Sequence, residues 1–171
     1  MRLNESNDAG IPTGNRLLRG LSNGHVDTLW AKLDPVRFST GDSVHLAESP
    51  AVALYFIESG LVSLTKRMLD GRNVEVCMLG AEGVISPYAI LGADTSILGS
   101  IVHVPVTAWR LERRYLMLMS RADEIAAIMR QYALGAVGQM IQLTACNALH
   151  TVEQRYCRWL LSAHDRVPGD E

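Results

Sequence analysis

The side chains of this sequence that could bind a metal or act as nucleophiles are few and widely separated. Its cysteines are Cys77, Cys146 and Cys157, and no C-x-x-C motif occurs. This spacing excludes a zinc ribbon and a thioredoxin-type redox pair. Cys146 and His150 stand four residues apart, but two ligands are too few for a zinc site. We therefore expect no metal site, and mostly buried, reduced thiols.

Two histidines raise the alternative of a metalloenzyme. His45 and His103 lie in a region of strand-like segments, and cupin enzymes bind catalytic metals inside a barrel of strands. Those enzymes need a close His-x-His pair, and the sequence contains none. Motifs of the G-x-S-x-G, phosphate-loop and H-E-x-x-H types are absent as well. We predict that the chain is not an enzyme, with a cupin-like metal-dependent enzyme as the alternative.

The charge and hydropathy of the chain limit its partners. The 171 residues carry a formal net charge of -2, so no basic surplus is available for a nucleic-acid backbone. No apolar run approaches the roughly 18 residues of a membrane span, and the polar N-terminus has no secretory signal. We expect a cytoplasmic protein with no membrane partner, which does not bind DNA through these residues alone.

The strands that would position these side chains lie between residues 36 and 112. Short apolar runs alternate there with glycines, and we predict strands at residues 42–46, 53–58, 61–67, 73–79, 100–106 and 108–111. Asp70-Gly71 stands between two alternating runs and predicts a tight hairpin. Several short strands at this spacing indicate a sandwich or barrel rather than βαβ units.

Helical patterns flank the strands. We predict short helices at residues 15–21, 25–33 and 113–119, and one long helix at residues 122–147. Asp34-Pro35 should end the second helix, because proline disfavours helical geometry in the residue before it. Thr151-Val152-Glu153-Gln154 is a capping-box sequence and predicts a further helix from Val152.

The long helix is apolar on two sides. One row consists of Met129, Ala133, Ala136, Met140 and Leu143, and the other of Leu134, Val137, Ile141 and Thr144. A helix that is apolar on two sides must be covered on two sides. We predict that the first row is the interface of a homodimer and that the barrel covers the other side. The alternative is a core helix of a monomer.

These blocks, in this order, resemble the Crp/Fnr family of bacterial transcription regulators. The resemblance rests on Gly41, the run from Tyr55 to Val62, Asp70-Gly71 and the run from Cys146 to Val167. It implies a mainly β fold with α: a double-stranded β-helix (jelly-roll) barrel of the cyclic-nucleotide-binding type, with short N-terminal helices and a long C-terminal dimerisation helix. In the family a winged helix-turn-helix domain follows and contacts DNA.

The resemblance also implies a domain organisation. We expect a flexible tail at residues 1–14, the sensor barrel at 15–120, the dimerisation helix at 121–148, and a hinge leading towards the DNA-binding domain at 149–171. No residues remain after Val167 to build that domain. We expect either a shortened form of a longer regulator, which we favour, or a protein that lacks an output domain.

The resemblance further allows a prediction about the ligand. Members that bind cyclic AMP hold its phosphate with an arginine beside a serine or threonine, and its ribose with a glutamate after a glycine. Here the corresponding positions are Ser86-Pro87 and the run from Ile97 to Ser100, and no Lys or Arg occurs between Arg72 and Arg110. A buried phosphate without a counter-charge is costly. We predict that cyclic AMP and cyclic GMP do not bind in the usual manner.

Two readings of the barrel remain open: it binds an uncharged or weakly polar effector, or it is a vestigial pocket filled by its own side chains. We expect no cofactor. Iron–sulfur members use cysteines near the N-terminus, and none precedes Cys77; haem would need His103, Cys77 or His45 as an axial ligand. The candidate ligand-binding residues are Glu82, Ser86, Tyr88, Ser100, His103, Met140 and Ile141.

Overall fold

The centre of the molecule is an antiparallel sheet that curls into a barrel-like body. The computed structural model describes residues 13–21, 29–89, 92–115 and 123–167. Its strands are β1 (Leu33–Phe38), β2 (Ala53–Arg67), β3 (Asn73–Leu79), β4 (Val84–Ile85) and β5 (Gly99–Glu112). They are ordered β1-β5-β2-β3, and β4 pairs with β2. This arrangement confirms the predicted mainly β fold with helices.

Helices lie before and after the sheet. They are α1 (Arg16–Arg19), α2 (Asp123–Leu149) and α3 (Val152–His164), with a single 3₁₀ turn at Pro87–Ala89. The helices predicted at 15–21, 122–147 and from Val152 are confirmed. Of the helices predicted at 25–33 and 113–119, residues 25–28 and 116–119 lie outside the described residues, residues 29–30 and 113–115 are helical, and Leu33 is the first residue of β1 rather than part of a helix. Among the described helices, none is both long and apolar enough to span a bilayer.

Both predicted turn motifs are confirmed. Gly71 has a φ of +84°, and Met68 N donates to Arg72 O at 2.8 Å, which closes the hairpin between β2 and β3. At the start of α3, Thr151 Oγ1 accepts from Gln154 N at 3.4 Å while Thr151 N donates to Gln154 Oε1 at 3.0 Å. This reciprocal pair satisfies two donors that the helix would otherwise leave free.

Strands β2 and β5 are each continuous where the sequence pattern predicted two strands. Gly60 has a φ of +96° and sits where β2 shifts register against β5, so it forms a bulge rather than a turn. A Cβ at this position would overlap the carbonyl oxygen of Pro105 and lie 2.8 Å from Val106 Cγ2. Glycine is therefore required both by its backbone conformation and by the close approach of β5.

The strand predicted at residues 42–46 is not formed. Gly41 has a φ of +89°, and the chain after it follows β5 through single hydrogen bonds instead of a regular ladder. Val102 N donates to Asp42 O at 3.0 Å, and Ser100 N donates to His45 O at 3.2 Å. As a result, His45 lies beside the first residues of β5.

The core consists of two apolar clusters on opposite faces of β2. In the first half of the strand, Leu54 and Phe56 point to one face and Ile57 to the other, as the alternation of a strand requires. The outer cluster comprises Leu18, Leu21, Leu29, Leu33, Ala51, Leu54, Phe56, Val84, Ala89, Leu111 and Met129. The inner cluster comprises Ile57, Val62, Leu64, Cys77, Leu79, Ile85, Leu98, Val102, Val106 and Ala108.

A buried asparagine joins α1 to the sheet. The Asn15 side chain is fully buried; its Nδ2 donates to Ile57 O at 2.8 Å and to Gly83 O at 3.0 Å. Its Oδ1 accepts from the backbone N–H groups of Leu17 and Leu18 as the N-cap of α1. One side chain therefore both starts the helix and fixes it on β2.

Helix α2 packs on the barrel with the row that was predicted to meet a partner. Met129 is buried in the outer cluster and Leu143 packs against the inner one. Tyr132 OH accepts from Val84 N at 3.2 Å and donates to Val84 O at 3.3 Å, which anchors the helix to β4. The second row is the exposed one, with Leu134, Val137 and Ile141 at 74%, 53% and 65% exposure. Two members of the first row thus pack on the barrel, and the predicted homodimer interface stays a prediction.

Candidate functional site

Inside the barrel, a histidine gathers three buried serines from distant parts of the chain. His45 Nδ1 lies 3.2 Å from Ser86 Oγ, and its Nε2 lies 2.7 Å from Ser96 Oγ. His45 N donates to Ser100 Oγ at 3.2 Å. Ser86 follows β4, while Ser96 and Ser100 flank the start of β5. We call His45, Ser86, Ser96 and Ser100 the His45 cluster.

The hydrogen bonds of the His45 cluster define the state of its imidazole. Nε2 lies 2.9 Å from the carbonyl oxygen of Leu98, which can only accept, so we assign the proton to Nε2. Nδ1 then accepts from Ser86 Oγ. Desolvation by burial lowers the pKa of His45 below its ordinary value of 6.5, and the bond to Leu98 only partly opposes this. The ring is therefore neutral at neutral pH.

We expect this buried neutral histidine to make stability depend on pH. Its folded-state pKa is lowered, so below about pH 6.5 the unfolded chain binds a proton that the folded chain does not. The urea midpoint should fall as the pH drops from about 6.5 towards the folded-state pKa of His45. In His45→Gln, the urea midpoint should no longer depend on pH through this residue. Urea titrations across this window check it, with His103→Gln as the control. Identical slopes in the parent and in His45→Gln would contradict it.

The His45 cluster offers hydroxyl groups and a neutral imidazole, but no cation. Ser86 has a φ of +64°, a conformation that non-glycine residues adopt rarely and that is enriched at functional sites. Its side chain is 2% exposed, so the strained backbone aims the hydroxyl inward. Such a set of groups suits hydrogen bonds to an uncharged polar ligand. It does not compensate the charge of a phosphate.

The other predicted ligand residues are spread over the molecule. Glu82 faces α3, where its Oε1 lies 2.5 Å from Arg166 Nε. Tyr88 packs on the inner cluster, and burial raises the pKa of its hydroxyl. On α2, Met140 is half-buried, whereas Ile141 is exposed on the outer row. The structure thus brings Ser86 and Ser100 together and leaves these four apart.

His103 belongs to a different polar chain, which runs from β5 to α3. Its Nε2 donates to Ser63 Oγ at 2.8 Å, and Ser63 in turn donates to Glu75 Oε2. The second oxygen of Glu75 accepts from Trp159 Nε1 at 2.9 Å. We call His103, Ser63, Glu75 and Trp159 the polar relay. It connects a barrel strand with the helix that follows α2.

The cysteines behave as separate thiols. Burial and the nearby Glu75 raise the pKa of Cys77 to about 11, so it stays protonated at neutral pH and is a poor thiolate ligand. A hydrogen bond from Gln142, together with Arg158, lowers the pKa of Cys146. Cys157 is exposed on α3. No group of three or more metal-binding side chains occurs in the described parts of the chain.

Sequence reasoning selected two members of the His45 cluster and missed its centre. Ser86 and Ser100 were candidates through the family resemblance, whereas His45 was considered only as a metal or haem ligand and Ser96 not at all. His45 lies 41 positions from Ser86 and 51 from Ser96, so no local motif connects them. The signal in the sequence that could have revealed the cluster was the presence of Ser86, Ser96 and Ser100 near the expected phosphate-binding positions.

The fold and this site place the chain in a known class. The sequence matches the model of the cyclic nucleotide-binding domain family over residues 35–123, just over half of the chain. The chain belongs to the cyclic nucleotide-binding domain family. The resemblance seen in the sequence is thereby confirmed for the sensor domain.

Several solved structures share the fold. The c-di-GMP-responsive global regulator CLP of Xanthomonas campestris is 17% identical, with a TM-score of 0.68 over 80% of this chain and 70% of that one. The catabolite activator protein of Thermus thermophilus is 19% identical, with a TM-score of 0.63 over 77% and 62%. The third is a mutant regulatory subunit of a cAMP-independent protein kinase A from Trypanosoma brucei, with cAMP in its A site. It is 19% identical, with a TM-score of 0.55 over 84% and 47%. No curated protein matches the sequence significantly.

Proposed function

We propose that this chain is the effector-sensing and dimerisation portion of a bacterial Crp/Fnr-type transcription regulator. The observation that carries the proposal is the His45 cluster, a neutral polar site inside a cyclic nucleotide-binding fold. Its hydroxyl groups and neutral imidazole offer hydrogen bonds to a ligand. Contact with DNA would be made by a winged helix-turn-helix domain following α3, as the family resemblance implies.

The effector of this proposal is an uncharged or weakly polar small molecule. The segment from residue 73 to 109 contains no Lys or Arg, and His45, which contacts Ser86 and Ser96 of this segment, has a lowered pKa and resists protonation. A similar fold occurs in the trypanosomal subunit, which comes from a kinase described as cAMP-independent. In that subunit, a triple mutant that gained an arginine has cAMP bound. We infer from the missing cation that cyclic AMP and cyclic GMP are not the natural effectors of this barrel.

The homodimer of this proposal forms through the exposed row of α2. Leu134, Val137 and Ile141 lie on one side of the helix, and in the described part of the chain each of them keeps more than half of its surface exposed. Beside them, Gly135 and Gly138 have no atom within 4 Å of a built Cβ. Each glycine costs a helix interior about 1 kcal/mol relative to alanine, and the close approach of a second helix would offset that cost. An effector that changes the packing of α2 would then reorient the following domains.

A vestigial pocket is the second candidate. The members of the His45 cluster already satisfy one another's hydrogen bonds, and Ser86, Ser96 and Ser100 are each at most 2% exposed. In this case the chain would be a dimerisation module whose barrel senses nothing.

Thermal-shift titrations separate the two candidates. Anything that binds only the folded state must raise its stability. We expect that a neutral polar metabolite raises the melting midpoint of the parent chain and not that of His45→Phe, which would fill the cluster. His103→Phe, outside the cluster, is the matched control. Stabilisation by cyclic AMP that is lost in His45→Phe would contradict the proposed effector class, and silence across the panel would favour the vestigial pocket.

A further inference from the structure

A second cavity lies outside the barrel, between β3, the end of α2, and α3. Its volume is about 490 Å³, within the range of small-molecule sites. Strand β3 forms one wall with residues 75–78, α2 contributes Leu143 and Asn147, and α3 forms the third side. We call this cavity the α3 cleft. None of the residues of the His45 cluster lines it.

Three arginines line the α3 cleft: Arg155, Arg158 and Arg166. Arg166 is neutralised, because its Nε lies 2.5 Å from Glu82 Oε1. Within the described residues, Arg155 and Arg158 form no ion pair with any carboxylate. The glutamate that lines the cleft, Glu75, accepts hydrogen bonds from the neutral groups of Ser63 and Trp159, so its negative charge offsets only one of these two arginines. The cleft therefore carries uncompensated positive charge.

Both unpaired arginines keep a buried donor without an acceptor. Arg155 Nε and Arg158 Nη1 are shielded from solvent and have no hydrogen-bond partner in the described structure. The rest of the Arg158 guanidinium is engaged, since its Nη2 donates to Asn147 Oδ1 at 3.1 Å and the group also interacts with the sulfur of Cys146. A buried guanidinium nitrogen without an acceptor is costly, and such a group calls for an explanation. An anionic ligand between the two side chains would supply the missing acceptors.

Apart from the polar side chains of Gln139 and Ser162, the remaining lining of the α3 cleft is aromatic and apolar. Tyr156 and Trp159 stand beside the arginines on α3, and Val76 and Met78 face them from β3. Trp159 keeps 38% of its surface exposed and Tyr156 keeps 60%, so ring surface is available. Guanidinium groups beside aromatic rings match a ligand that combines a phosphate with a planar ring.

We propose that the α3 cleft binds a nucleotide carrying a phosphomonoester, with the phosphate on Arg155 and Arg158 and the base against Trp159 and Tyr156. A dianionic monoester suits two guanidinium groups better than the single charge of a cyclic phosphodiester. The ligand would touch β3 and α3 at once. It would therefore hold α3 on the barrel independently of the His45 cluster.

Isothermal titration calorimetry with adenosine monophosphate tests this site, with adenosine, cyclic AMP and inorganic phosphate as comparison probes. We expect binding of the monophosphate, with affinity for adenosine and for cyclic AMP lower by about tenfold or more. The variant carrying Arg155→Gln and Arg158→Gln should lose binding by a similar factor. Glutamine keeps the aliphatic stem and helix propensity of arginine. Arg67→Gln, at the exposed end of β2, should bind like the parent chain.

Tryptophan fluorescence provides an independent readout of the same site. Trp30 and Trp109 pack on the outer cluster, so a change on binding should come from Trp159 and disappear in Trp159→Phe. Circular dichroism confirms that each variant is folded. Absence of monophosphate binding at about 1 mM would overturn the proposal. So would binding that the double arginine variant retains, or binding that is lost in His45→Phe, because the latter would place the ligand in the barrel.

Discussion

Gly60→Ala should cost this domain a large part of its stability. A Cβ at Gly60 would overlap the backbone carbonyl of Pro105, and that atom belongs to the neighbouring strand and cannot rotate away. The positive φ adds about 1 to 2 kcal/mol for any L side chain. Together we expect a loss on the order of 4 kcal/mol, against a typical total of about 5 to 15 kcal/mol.

Gly71→Ala is the matched control for that experiment. Gly71 has a similar φ of +84°, but nothing lies within 4 Å of a Cβ built there. Only the conformational cost of about 1 to 2 kcal/mol should appear. Urea denaturation followed by circular dichroism, at one fixed protein concentration, measures both variants. Equal losses of stability in Gly60→Ala and Gly71→Ala would show that the close approach of β5 adds nothing to the cost of a side chain at position 60.

Val137→Arg should convert the proposed homodimer into monomers. Val137 lies in the middle of the exposed row of α2, and a two-fold interface would bring the new charge close to its own copy. Repulsion and the loss of apolar contact would act together at the centre of the seam. Light scattering coupled to size-exclusion chromatography should change from twice 18.8 kDa for the parent chain to 18.8 kDa.

The control for the dimer experiment is Leu69→Arg, which replaces an apolar residue by the same charge at a fully exposed position on the hairpin between β2 and β3, away from α2. That variant should remain dimeric. A Val137→Arg protein that still has the dimeric mass would exclude the row as the interface. A parent chain that is monomeric at every concentration tested would leave the exposed row without the partner proposed for it.

Some elements could be predicted because their signals are local. The limits of α2 differ from the predicted 122–147 by one or two residues, since a long apolar periodicity is visible in the sequence itself. The hairpin at Asp70-Gly71 and the capping box at Thr151 also depend only on neighbouring residues. The β3 strand was predicted with its observed limits for the same reason.

Other features could not be predicted because they depend on contacts distant in sequence. Glycine at position 60 is compatible with a turn or a bulge, and the carbonyl of Pro105 decides between them. Both rows of α2 are apolar, and only the packing of Met129 and Leu143 on the barrel shows which row faces inward. His45 became part of a site only when the fold brought Ser86 and Ser96 to it.

The attachment of α3 has a mechanical consequence. This helix is held on the barrel by the bond from Trp159 to Glu75 and the ion pair between Arg166 and Glu82, while Val152, Tyr156 and Leu161 remain exposed. Partly exposed polar contacts of this kind contribute about 1 kcal/mol each or less. A free-energy difference of about 1.4 kcal/mol already shifts an equilibrium tenfold. Helix α3 should therefore detach from the barrel at a small free-energy cost. A rise in ionic strength, which weakens the ion pair between Arg166 and Glu82, should favour that detachment.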